Sequence, residues 1–217
     1  MWHWLTQTNS GLATRIAIGA AIFFILAVID LKKNGARATR WREYLFLLAC
    51  VAFALVYGIV NDLITSTISW EYFSFGKGLW PDVLPDLPPN PLRLHIAACV
   101  VGIKATWTVG LIIGAALLLA NNPRKNRPQL PITTLAKMLP MIAVITVAFA
   151  MILGLAGYSG LIAKFSDDFA QMLRHDEMRP RRFIAVFGIH LGGYMGGLIG
   201  IITSVFIVLH QRKHLER

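Results

Sequence analysis

From Met138 to Ala163 the chain reads MLPMIAVITVAFAMILGLAGYSGLIA, without a single charged side chain. A helix rises about 1.5 Å per residue, and the hydrocarbon of a bilayer takes roughly 20 apolar residues to cross. This run is therefore long enough to span. Four more have the same character, at about 12–31, 45–72, 94–120 and 183–209. The pattern predicts an all-α, polytopic transmembrane helix bundle of five spans, forming a single transmembrane domain over 1–217.

Composition agrees. The 217 residues are 56% hydrophobic and only 15% charged, too little charge to cover a soluble domain of this size. The formal net charge of +10 falls mostly between the apolar runs rather than along one basic helix. That distribution argues against nucleic acid and for anionic lipid headgroups, so the lipid bilayer is the expected partner. Cys50 and Cys99 fall near opposite ends of neighbouring spans, too far apart for a disulfide, and are expected as free thiols.

Charge also sets an expected orientation. Only Arg15 precedes the core of the first run, whereas Lys32, Lys33, Arg37, Arg40 and Arg42 follow it. A secretory signal has the reverse order, so the run reads as a retained span with the N-terminus outside and the C-terminus cytoplasmic. Twelve basic residues then lie inside and eight outside, as in a bacterial inner membrane protein. Trp2 and Trp4 are expected as outer anchors. The outer loop 73–93, with Pro81, Pro85, Pro88, Pro89 and Pro91, is expected as an extended cap. Residues 166–178 are expected either as a short interfacial helix, N-capped by Ser166, or as a polar loop.

Gly188, Gly192, Gly196 and Gly200 repeat every fourth residue in the last span, and Ala98, Gly102, Thr106, Gly110 and Gly114 do so in the third. Glycine is a poor helix former, so such ladders imply close backbone approach. The two stripes are expected to face each other. The alternative is that they dock a homo-oligomer or another membrane-complex partner.

Ionisable side chains inside a membrane are costly and mark candidate sites. At about 1.5 Å per residue, Asp62, Lys104, Tyr158 and His190 fall roughly 9–15 Å below the outer interface. Asp62, Thr65, Ser66 and Ser69 share one helical face, and Glu71 lies just beyond. The expected binding residues are Asp62, Thr65, Glu71, Lys104, Tyr158 and His190. An Asp62–Lys104 pair that locks two helices, a proton or ion site, and a metal site built from Asp62, Glu71, His95 and His190 are three uses of this layer. Carboxylate and imidazole suit zinc or iron, so a divalent metal is the one cofactor considered. His3, His175, His210 and His214 lie outside the spans and suggest no chemistry. Ser159, in Gly157-Tyr158-Ser159-Gly160, lacks the strand-to-helix elbow of a hydrolase nucleophile. No catalytic residue is assigned.

The stretch Tyr57-Gly58-Ile59-Val60-Asn61-Asp62-Leu63-Ile64-Thr65, with Glu71-Tyr72-Phe73 and Gly76, resembles an uncharacterised family of small bacterial multi-span membrane proteins that read approximately YGxxHDQxTxxxxxEYFxxGHP. Ala105-Thr106-Trp107 with Val109-Gly110, and His190 with Tyr194 and Gly197, look like further landmarks. The resemblance implies a grouping and no activity. Its two histidines fall at Asn61 and Lys77 here; if they hold metal there, this chain has lost part of that site. The leading expectation is binding or translocation of a proton, ion or small solute at the outer-half cluster. A membrane-embedded metal-dependent enzyme, hydrolase-like, and a structural subunit or assembly factor are the alternatives.

Overall fold

The computed structural model describes residues 9–35, 38–122, 128–162 and 179–214. The described residues form six α-helices: α1 (Asn9–Asn34), α2 (Arg40–Ile68), α3 (Pro91–Ala120), a short α4 (Ile132–Ala136), α5 (Met138–Tyr158) and α6 (Pro180–His214). No strand occurs among the described residues. Among the described residues five segments are long and apolar enough to cross a membrane: Thr14–Asn34, Arg40–Ile68, Pro91–Ala120, Ile132–Tyr158 and Pro180–His214. The exposed Ile, Val, Leu and Phe side chains around the bundle suit contact with lipid. Trp2, Trp4 and the expected interfacial helix at 166–178 lie outside the described residues.

Helix ends depart from the sequence limits for local reasons. Ser69 takes an extended backbone (φ −145°, ψ 106°) and stops α2, after which Tyr72–Gly76 makes one π-helical turn rather than extended chain. At the end of α5, Gly160 adopts φ +81°, a left-handed conformation that glycine takes at no steric cost. The Leu161 and Gly160 amides then close onto Ala156 and Gly157, a Schellman stop that leaves Tyr158 at a helix terminus. Asn90 caps α3 by accepting from the Arg93 amide at 3.2 Å.

The glycine stripes do pack against backbone, but not against each other. A methyl added at Gly192 would press into the Phe149 carbonyl of α5, at Gly188 into the Leu153 carbonyl, and at Gly196 within 2.8 Å of Thr146 Cα. On α3, Gly102 meets Gly58 of α2, and Gly110 stands where a methyl would come within 2.5 Å of Val51 Cα. The bundle is thus two close pairs, α2 with α3 and α5 with α6, while α1 rests mainly on α2, stacking Phe23 on Tyr44. The expected α3–α6 seam is corrected: each ladder is occupied by its own hairpin neighbour, which also removes those faces as sites for a partner.

Polar clamps join the pairs. Arg212, beyond the 183–209 run read from the sequence, belongs to α6 and is 2% exposed. Its guanidinium donates Nε to Pro128 O at 3.0 Å, Nη2 to Asn122 O at 2.8 Å, and Nη1 to Ala120 O. It so caps the carbonyl end of α3, where helix carbonyls and dipole favour a cation. At the same end Asp30 of α1 accepts from the Trp41 amide at 3.1 Å, capping the start of α2, and from Asn34 at 2.7 Å. At the opposite end Glu71, 1% exposed, accepts from Ser69 Oγ at 2.7 Å and from the Arg179 amide at 3.3 Å, tying the exit of α2 to the entry of α6. The proline-bearing segment closes that end, with Phe73 and Leu84 fully buried against Leu94, Phe183 and Val186.

Candidate functional site

Asp62 stands on the buried face of α2, one turn above Gly58, where α3 approaches close enough to exclude lipid. Across the gap between the two helix pairs, α6 presents His190. Its Nε2 lies 3.8 Å from Asp62 Oδ1, and the two side chains are only 9% and 4% exposed. Asn61 donates to Asp62 Oδ1 at 3.0 Å. Asp62 Oδ2 and His190 Nε2 are buried without a hydrogen-bond partner.

The π-helical turn completes the site from above. Tyr72 stacks on the His190 imidazole (4.9 Å between centroids, 14° between planes), and Phe73 meets it edge-on at 6.3 Å. Lys77 Nζ lies 5.4 Å from the centre of the same Tyr72 ring. Burial pushes the Lys77 amine below the usual lysine range, with the Asp62 carboxylate opposing the shift. The Tyr72 phenol is pushed above its usual range by burial, and further by Tyr194 and Asp62. An acid, an imidazole, an amine and two phenols therefore share one electrostatic neighbourhood.

Below this cluster lies a cavity of about 240 Å³ lined by α2, α3, α5 and α6. Asn61, Asp62 and His190 form its polar end, with Tyr57, Tyr194 and Thr146 along its wall and apolar side chains elsewhere. The chain matches no family model, no curated protein and no solved structure. Its chemistry is read from these side chains alone.

Of the six expected binding residues, Asp62 and His190 come together, four do not join them, and each has a physical reason. Thr65 turns back to donate to Asn61 O at 2.9 Å. Glu71 is engaged in the clamp to α6. Lys104 is part-buried and does not line the cavity, because it stands two residues from Gly102 and so faces away from α2; the basic side chain beside the Asp62 carboxylate is His190, at 3.8 Å. Tyr158, 54% exposed at the terminus of α5, lines a neighbouring apolar cleft rather than the cavity at Asp62.

The four residues considered as metal ligands do not converge. Ser66 gives its hydroxyl proton to Leu63 O at 2.8 Å, so His95 Nδ1 donates to Ser66 Oγ at 2.9 Å. Among the described residues no three His, Cys, Asp or Glu side chains are arranged to hold a metal ion. One metal-type spacing was passed over in the sequence: His210 and His214 stand four apart on α6, with ring centroids 4.5 Å apart.

Lys77, Tyr72 and Tyr57 are site residues that periodicity did not select. Tyr57 precedes Asp62 by five residues and was visible as a polar tip on the same helix. Lys77 sits in a loop, and only its fold-back over α6 brings it in.

Proposed function

We propose that this chain binds or passes a proton or the polar group of a small solute at the Asp62–His190 pair, inside a bacterial inner membrane. The observation that carries the reading is the 3.8 Å separation, with Asp62 Oδ2 and His190 Nε2 both buried and unpartnered. A pair whose role was to lock α2 to α6 would close to hydrogen-bond distance, about 2.7–3.2 Å. Each buried polar atom left unpaired costs about 1–3 kcal/mol, so the open geometry needs an occupant to repay it. Carboxylate and imidazole side chains within membranes serve proton and solute pathways.

The end carrying Arg40, Ala120 and Arg212 is placed in the cytoplasm, supported by the excess of basic residues in its loops. The chain is read as a divergent relative of the family it resembles. What supports the grouping is that Asn61 and Lys77, at the family's histidine positions, both act on Asp62.

The test is dissipation of a pH gradient in proteoliposomes holding a trapped pH-sensitive dye. Wild-type vesicles are expected to leak protons faster than empty ones, and Asp62→Asn to return to the empty rate while eluting as a folded protein in detergent. Wild-type vesicles indistinguishable from empty ones would remove translocation from the reading.

A further inference from the structure

We infer that the molecule taken at Asp62–His190 is lipophilic, an apolar body with one hydrogen-bond-donating head, and that it enters sideways from the bilayer between α2 and α5. The inference deepens the function proposed above and rests on Asp62–His190 being a binding site.

Access decides the class of ligand. Beside the central cavity lies a cleft of about 720 Å³ between α2 and α5, and the two share Phe53, Tyr57, Asn61 and Ile189 along their common wall. The rim of the cleft is Val60, Ile64, Met151 and Leu155, each 49–68% exposed on the apolar outside of the bundle. A route through such a rim begins in hydrocarbon. Hydrated ions and sugars are excluded there by the cost of losing their water, whereas an alkyl or aryl body passes at no such cost. At the opposite, polar end the loop bearing Phe73 and Leu84 is packed shut.

The cavity is also kept open by omitted side chains. Gly193 and Gly197 face it, one residue round the helix from the ladder that packs on α5. A methyl at Gly193 would meet only Tyr57 Oη, at 3.4 Å, and one at Gly197 only Thr146 Oγ1, at 3.8 Å. Backbone packing explains glycine at 188, 192 and 196; at 193 and 197 it does not, and what the missing side chains leave is space. The inner end then selects the head. Asp62 Oδ2 is an unpartnered acceptor, and His190 Nε2 beside it makes no hydrogen bond, with Asp62 Oδ1 3.8 Å away. A hydroxyl or amine head donating to Oδ2 satisfies the carboxylate while its body lies along Phe53, Ile113 and Ile142.

The experiment is photolabelling of the full chain in nanodiscs of phosphatidylethanolamine and phosphatidylglycerol, using a dodecanol that carries a diazirine on its chain, with labelled residues mapped by mass spectrometry. Label is expected on the α2–α5 cleft and the cavity wall. It should be displaced by 4-octylphenol and not by 4-octylanisole, which has the same body without the donor. Asp62→Asn and Gly193→Leu, the one altering the head's partner and the other filling the space, should each cut labelling roughly tenfold or more, the scale of one hydrogen bond to a charged group. Equal displacement by phenol and anisole, or labelling unchanged in both variants, overturns the inference and leaves bilayer lipid as the only occupant. If that result comes with Asp62-dependent proton flux, the lipophilic ligand falls and the proton site stands. Head-selective labelling without flux removes translocation and keeps the ligand.

Discussion

Replacing Arg212 by alanine removes a side chain that reaches from α6 to the carbonyl end of α3. Three donor bonds end on Ala120, Asn122 and Pro128 carbonyls, and the side chain is 2% exposed. A hydrogen bond from a charged donor contributes about 1.5–3 kcal/mol. The three share one side chain, and water reaching a helix end takes over part of their work, so a net loss of about 3 kcal/mol is expected. For a chain of this length each kcal/mol moves the unfolding midpoint about 2–4 °C, which gives a fall of about 6–12 °C. Arg212→Lys keeps the charge but offers a point ammonium where a planar fork met three acceptors, and should recover less than half. The assay is thermal unfolding in dodecyl maltoside followed by tryptophan fluorescence, with the exposed Lys213→Ala as control. Arg212→Ala within about 2 °C of that control would refute the clamp, since surface changes stay near ±0.5 kcal/mol.

The two kinds of glycine on α6 should separate in the same assay. Gly192→Ala forces a methyl into the Phe149 carbonyl and should cost about 1–3 kcal/mol, whereas Gly193→Ala meets only Tyr57 Oη at 3.4 Å and should be neutral or slightly stabilising; equal losses would refute the assignment of faces. Asp30→Ala should cost about 1 kcal/mol through loss of the cap on the Trp41 amide, read as a lowered midpoint. Lys77 gives a pH dependence. Its amine is held below the ordinary lysine value of about 10.4, so over that window the unfolded chain binds more protons and this residue's contribution to stability rises with pH. Lys77→Met should flatten that rise below the ordinary lysine value of about 10.4, and identical pH profiles for the two proteins would show that Lys77 is not buried beside Asp62.

The spans were legible because bilayer thickness imposes a run length that no soluble fold needs, and Met138–Ala163 already displays it. The glycine faces were legible as faces. Their partners were not: a repeat every four residues marks one side of a helix and says nothing of which neighbour lies there, and the α5 face that meets Gly188–Gly200, with Thr146, Ala150 and Gly154, is a third such stripe that spacing alone does not pair with it. Asp62 and His190 were visible because a titratable group in a span is rare. Lys104 satisfied the same criterion yet points elsewhere, since depth along a helix is fixed by sequence number but azimuth relative to a neighbour depends on packing. Arg212, Asp30 and Glu71 were the least legible. Each meets backbone carbonyls or amides, which every residue supplies, so no side-chain pattern announces the contact.

The open geometry at Asp62–His190 follows from where the packing energy lies. Backbone-close contact is confined within the α2–α3 and α5–α6 pairs, each held by its own glycines. Between the pairs, firm ties sit at the two ends: Arg212 on the α3 terminus at one, Glu71 on the Arg179 amide and Tyr72 on His190 at the other. Two stiff hairpins joined at their ends leave the middle of their shared face unfilled, and there the cavity lies. Asp62 belongs to one hairpin and His190 to the other, so their separation measures how the pairs sit. Closing 3.8 Å to a hydrogen bond takes about 1 Å of movement, by the side chains or by the pairs. Between the hairpins the approach is set by side chains, Phe46, Ile113 and Leu117 of one packed with Ile142 and Val208 of the other, rather than by glycine against backbone. A group that enters the gap meets a carboxylate from one hairpin and an imidazole from the other.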